Sequence, residues 1–138
     1  MNSIVNRTFE DALGDGTNTG TYEESDNFTF DEYKKLAMRT ACIPESNKHG
    51  RLIHAMFGLA SEAGEAAGLM QKKFQGHGFD REHMVKELGD CLWMIAEACD
   101  ALDIPMSEVA KTNIAKLNVR FPEGFSEERS LHRDENDI

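Results

Sequence analysis

Proline is scarce in this chain, and its three residues, Pro44, Pro105 and Pro122, fall between apolar-periodic segments rather than inside them. Cysteine is as sparse. Cys42, Cys91 and Cys99 form no CxxC pair, so neither a disulfide framework nor a thiolate zinc site is expected. An odd count of this kind reads as reduced core thiols in a cytoplasmic protein. Cations are outnumbered: 15 Lys and Arg against 25 Asp and Glu leave a formal charge of -10. A surface of that sign repels phosphodiester backbones, which argues against a long nucleic-acid partner. No apolar run approaches the roughly 20 residues needed to span a bilayer. The opening MNSIVNRTFEDALGDG also lacks an apolar core followed by a cleavage site. The expectation is a soluble, untargeted protein with no membrane partner. Alternating β-branched runs joined by hairpin signals are missing too, so strands are not expected.

What remains is helical periodicity. A chain of 138 residues with 40% hydrophobic content suits one domain with a modest core. Residues 1–27, with DGTNTGT in their middle, hold too few periodic apolar positions to pack and read as a flexible N-terminal arm. The spacing Thr29-Phe-Asp-Glu32 predicts a capping box and a short helix to about Ala41. From Lys48 to Phe74, Ile53, Met56, Phe57, Ala60, Ala63, Ala67 and Met70 recur at steps of three and four, predicting a long helix. Gly58, Gly64 and Gly68 inside it cost about 1 kcal/mol each against Ala, which calls for a close backbone or a ligand on that side. Asp80 is placed to cap a third helix running to about Leu102, striped by Met84, Val85, Leu88, Cys91, Leu92, Ile95, Ala98 and Cys99. A fourth starts near Pro105 and stops at Arg120 before Pro122. The helical domain thus spans 28–121, and 122–138 is a charged tail anchored by Phe125 and Leu131. This is an all-α fold of four to five helices. Two long helices in one small chain leave apolar surface open, so a second copy is expected to complete the bundle, as a homodimer or homotetramer.

Two acidic pairs carry the chemistry. Glu62 and Glu65 stand three residues apart on the second helix, and Glu87 and Asp90 repeat that spacing on the third. Acidic residues so spaced usually decorate solvated faces, but these are embedded in GLASEAGEAAGLM and VKELGDCLWMI, among small and apolar neighbours. Carboxylates there are costly to ionise without a compensating cation. If the two helices are antiparallel neighbours, four like charges converge. A purely oxygen donor set selects Mg²⁺, with Mn²⁺ as its substitute, over Zn²⁺. Mg²⁺ completes its shell with water and phosphate oxygens, so a polyphosphate substrate and metal-assisted hydrolysis follow, with one carboxylate available as general base.

The segments GLASEAGEAAGLMQKK, KELGDCLWMIAEACDALDI and NIAKLNVRFP resemble the MazG-type branch of the all-α NTP pyrophosphohydrolases, whose signature is ExxE, a spacer, then ExxD. The likeness covers roughly residues 28 to 125. It implies Mg²⁺ ligation by Glu62, Glu65, Glu87 and Asp90, which are the catalytic set, and cleavage of a nucleoside triphosphate to monophosphate and pyrophosphate. Asn113, Lys116 and Arg120 match positions that face the nucleotide in similar proteins, and they form one polar, cationic stripe on the fourth helix. Lys72 is preferred over Lys73 for the leaving pyrophosphate. The tail's Arg133-Asp134 resembles the ending of some phage-type members, where such a segment folds over a neighbouring site.

Other residues carry weaker signals. His54, eight residues before Glu62, is a substrate-contact candidate whose commoner role is a hydrogen-bonded packing residue. His83 is one turn before Glu87, and Asp80-x-x-His83 faintly suggests a di-iron motif, but a capping role suits Asp80 better. Glu97 and Asp100, near the helix end, read as exposed, and Trp93 reads as a core or interface aromatic before a nucleobase platform. The rivals are a dUTPase-like or phosphoribosyl-ATP type pyrophosphohydrolase, a non-catalytic helical interaction module, and a di-iron carboxylate protein.

Overall fold

The computed structural model describes residues 28–132; the expected arm at 1–27 and the Arg133-Asp134 pair lie outside the described residues. Helix α1 (Phe30–Ala37) starts on the expected capping box. Thr29 Oγ1 accepts from Glu32 N–H at 3.1 Å while Glu32 Oε2 accepts from Thr29 N–H at 2.9 Å. A 3₁₀ turn (Met38–Thr40) then tightens the end of the helix. Helix α2 (Lys48–Phe74) is capped by Asn47, whose side chain accepts from Gly50 N–H. It stops where Gly76 takes φ 95°, a left-handed turn that costs glycine nothing. Helix α3 (Arg81–Ala101) is capped by Asp80, which accepts from His83 N–H.

Helix α4 (Met106–Arg120) follows Pro105, which offers no side-chain cap. The cap comes from another element: Asp31 on α1 accepts from Ser107 N–H at 3.0 Å and from Ser107 Oγ–H at 2.5 Å. A short helix α5 (Glu127–Leu131), begun by Ser126 accepting from Arg129 N–H, stands where the sequence suggested only a tail. Among the described residues no strand forms; Pro122 and Gly124 make an isolated bridge. None of the described helices is long and apolar enough to cross a membrane.

The apolar core is small and lies where α1, α3 and α4 meet. Ala96, Cys99 and Met106 are buried there, with Tyr33, Met38, Leu92, Ile95 and Ile104 packed around them. The indole of Trp93 is half-buried, and its Nε1–H donates to Ala37 O and Thr40 Oγ1, fastening α1 to α3. Trp93 is thus a packing aromatic in this chain.

The helices stand at the expected places, but the long apolar stripe of α2 does not face its neighbour. Ile53, Met56, Phe57, Ala60, Ala63, Ala67 and Met70 are all exposed, Phe57 at 76%. The face turned to α3 carries Arg51, Ala55, Gly58 and Glu62 instead. Periodicity identifies a stripe that must be buried, not the partner that buries it. The α3 stripe divides in the same way: Cys99 is buried, while Val85 and Leu88 are each 56% exposed. Phe125 and Leu131, expected to anchor the tail, are also exposed, although the Phe125 ring lies 5.5 Å from that of Phe121. The α2 glycines separate similarly. A Cβ at Gly58 would come within 2.4 Å of Met94 Sδ, so close approach explains that position, whereas Gly64 and Gly68 have nothing within 4 Å.

Candidate metal centre on the seam between α2 and α3

Antiparallel α2 and α3 meet along a polar seam of constant register. In the first layer Lys48 Nζ is 2.7 Å from Asp103 Oδ1. Three residues further along α2 and three back in the chain from Asp103, Arg51 pairs with Asp100 on α3. In the third layer His54 Nδ1 meets Glu97 Oε2 at 2.5 Å. Gly58 and Met94 make an apolar step. The next layer sets Glu62 against Glu87 and Asp90, with one carboxylate oxygen from each within 4.8 Å of the others. Helix α3 and the turn that follows it therefore offer an acid in every polar layer. Helix α2 answers three times with a base and then with another acid.

That last layer is electrostatically incomplete. Glu87 is buried, Glu62 half-buried and Asp90 exposed. The Glu62 carboxyl is held above the usual carboxylate range, first by its removal from solvent and then by the like charges of Glu65, Asp90 and Glu87. Glu65 is exposed one turn along α2; it contributes to this field without belonging to the group of three. The donor set is all oxygen, and its members repel one another, which is the chemistry a hard divalent cation relieves.

Around the cluster, His83 Nε2 lies 2.7 Å from Glu87 Oε1. Tyr33 reaches over from α1, its hydroxyl making a long contact of 3.5 Å with Gly89 O. Burial and the charge of Asp90 raise the Tyr33 phenol above its usual value. The sequence reading missed Tyr33, because no local pattern ties it to a carboxylate in another helix. It also misplaced Glu97 and Asp100, read as exposed near a helix end. Glu97 is 0% exposed and Asp100 is partly buried against Arg51, because the α2 bases opposite them draw both into the seam.

The substrate-contact candidates are dispersed in the single chain. His54 is engaged by Glu97 through Nδ1. Lys72 and Lys73 are both exposed in the last turn of α2, and Lys73 sets its Nζ 4.8 Å from the centre of the Phe79 ring. Asn113 and Lys116 are exposed on α4, and the Arg120 guanidinium lies 5.0 Å from the Phe121 ring centre.

Comparisons with known proteins agree with this architecture. The chain is 30% identical over 102 residues to the Gene 37 protein of Mycobacterium phage L5, an alignment covering 68% of this chain and 90% of that one. No solved structure matches the chain significantly. The MazG nucleotide pyrophosphohydrolase domain matches residues 53–125, more than half of the chain, including both acidic pairs and the His54–Glu97 layer of the seam. By that match this chain belongs to the MazG nucleotide pyrophosphohydrolase family.

Proposed function

We propose that this protein is a Mg²⁺-dependent nucleoside triphosphate pyrophosphohydrolase that converts a (d)NTP to the (d)NMP and pyrophosphate. The observation that carries the reading is the break in charge pairing along the seam. Three layers match an α2 base with an acid of α3 or of the turn that follows it, and the fourth opposes Glu62 with Glu87 and Asp90. With its carboxylates ionised, such a layer repels itself until a cation joins it.

Glu62, Glu87 and Asp90 would hold the cation, with Glu65 entering as the fourth carboxylate. Bound there, Mg²⁺ would neutralise phosphate oxygens and render a water nucleophilic near neutral pH. The chain's own residues supply the rest. Buried Glu87 is a fixed ligand, while exposed Glu65 is free to turn toward the substrate water and accept its proton. Lys72 is assigned to the leaving pyrophosphate, because Lys73 is engaged with the Phe79 ring. Asn113, Lys116 and Arg120 are assigned to phosphate and sugar oxygens, and the outer edge of His54 to the nucleoside.

A homodimer or homotetramer completes this reading. The described core holds few large buried apolar residues, while Phe57, Phe74 and Val119 are 76%, 94% and 80% exposed. Open apolar surface of that extent on α2 and α4 suits a second copy, which would close the bundle and bring the α4 stripe to the carboxylates.

Incubating the purified protein with each common and modified NTP plus Mg²⁺ tests the proposal. Monophosphate and pyrophosphate should appear in equal amounts, and Glu62→Gln or Asp90→Asn should abolish turnover. Release of inorganic phosphate alone would refute it. The same panel separates a general activity from dUTPase-like or phosphoribosyl-ATP type selectivity.

A further inference from the structure

One side chain outside the four carboxylates is bonded directly into their cluster. His83 Nε2 lies 2.7 Å from Glu87 Oε1, one turn away on α3. The Glu87 side chain is 8% exposed and that of His83 49%, so the bond reaches from the surface into the seam. The main chain at His83 is fixed by the α3 cap, where its backbone N–H donates to Asp80 Oδ1 at 2.9 Å. The Asp80-x-x-His83 spacing is thus that of a helix cap, and the His83 ring is left to bond Glu87.

We propose that His83 is a positioning residue that restricts Glu87 to one ligand oxygen and thereby biases the site toward Mg²⁺ over Ca²⁺. The inference rests on the metal reading above. A Glu87 carboxylate whose Oε1 accepts from Nε2–H has Oε2 left for a cation. Mg²⁺ bonds at 2.0–2.1 Å in an octahedron and commonly takes one oxygen per carboxylate, whereas Ca²⁺ bonds at 2.3–2.6 Å, accepts 6–8 oxygens and often takes both. Two-oxygen ligation by Glu87 would set the cation and the His83 N–H in competition for Oε1 and weaken the His83 bond. The histidine therefore penalises the larger ion while leaving the smaller one's geometry in place. Hydrogen-bond partners behind metal ligands commonly matter by 10–100-fold in affinity.

The test is displacement of Mn²⁺ from the full chain by Mg²⁺ and by Ca²⁺, read by the electron paramagnetic resonance of free Mn²⁺, in wild type, His83→Ala and His83→Gln. His83→Ala should lower the ratio of Mg²⁺ to Ca²⁺ affinity about tenfold. His83→Gln, whose amide N–H can reach the same oxygen, should restore it. Metal-free, His83→Ala should melt below wild type because the buried Glu87 carboxylate loses its bond, and His83→Gln should recover most of that loss, with helicity retained in both. An unchanged ratio in His83→Ala, a glutamine variant that behaves like alanine, or a loss of helicity in both variants would each overturn the proposal. A wild-type chain that binds neither ion would instead remove the metal reading, and this proposal with it; normal binding with an unchanged ratio removes this proposal alone.

Discussion

Removing His54 should destabilise this protein far more than removing its partner Glu97, although the two share one hydrogen bond. Glu97 is 0% exposed; Oε2 takes the bond from His54 at 2.5 Å, and Oε1 has no hydrogen-bond partner among the described residues. The His54 side chain is 40% exposed. His54→Ala therefore leaves a buried carboxylate with neither oxygen satisfied, a change that costs on the order of 3 kcal/mol. Glu97→Leu removes the buried polar group and leaves an imidazole that can turn to water, so its cost should be about 1 kcal/mol or less. The double variant should resemble Glu97→Leu, giving a coupling of about 2 to 3 kcal/mol in a double-mutant cycle. Urea unfolding followed by far-UV circular dichroism measures all four proteins, at one fixed chain concentration because association would shift the midpoints. Equal costs for the two single variants, or a His54→Ala cost below about 1 kcal/mol, would refute this account of the seam.

Three further outcomes are expected. Mg²⁺ at a hundred times its dissociation constant should stabilise the fold by about 2.7 kcal/mol, or about 10 °C in melting temperature, and Glu62→Gln or Asp90→Asn should remove the gain. In chelator, stability should depend on pH in two opposed ways. Glu62 is held above its usual 4.5, so the stability linked to it is full below that value and drains as pH rises through the folded pKa above it. Asp31 is held below 3.8 by its bonds from Ser107, so its contribution is present above that value and is lost as pH falls through the folded pKa below it. Melting scans from about pH 3 to about pH 7 should therefore show a maximum in the acid range that Mg²⁺ extends toward neutrality; a monotonic rise in chelator would contradict the Glu62 assignment. Finally, Phe57→Asp should convert an associated protein to single chains in light scattering while retaining helicity, because that ring is not part of the described core. A monomeric wild type would remove the proposed assembly.

The elements were legible because their signals are local. Thr29 with Glu32, Asp80 and Pro105 mark helix starts through contacts spanning a few residues, and the chain forms them where those residues stand. The acidic pairs were legible because three-residue spacing fixes a shared face. What could not be read is everything decided by which face meets which. The apolar stripe at Ile53, Phe57 and Met70 has clear periodicity, yet the structure turns it outward and gives α3 the charged edge. Asp31 caps α4 across the fold, and Tyr33 comes to Gly89 from another helix; neither leaves a trace in sequence spacing.

The misreading of Glu97 and Asp100 follows from the same cause and has a consequence for the proposed metal centre. Acids near a helix end are ordinarily solvated, but here Arg51 and His54 hold Asp100 and Glu97 at a fixed register. Because these pairs step three residues at a time along both helices, their register continues across Gly58 and Met94 into the layer of Glu62, Glu87 and Asp90. Repulsion among those carboxylates would by itself splay the two helices apart. The paired layers, with Gly58 allowing close approach over Met94, oppose that splaying before any cation arrives. Preorganisation of the site is thus work done by residues about two turns away from it, and the charge pairs serve the carboxylates by denying them the alternative of separating.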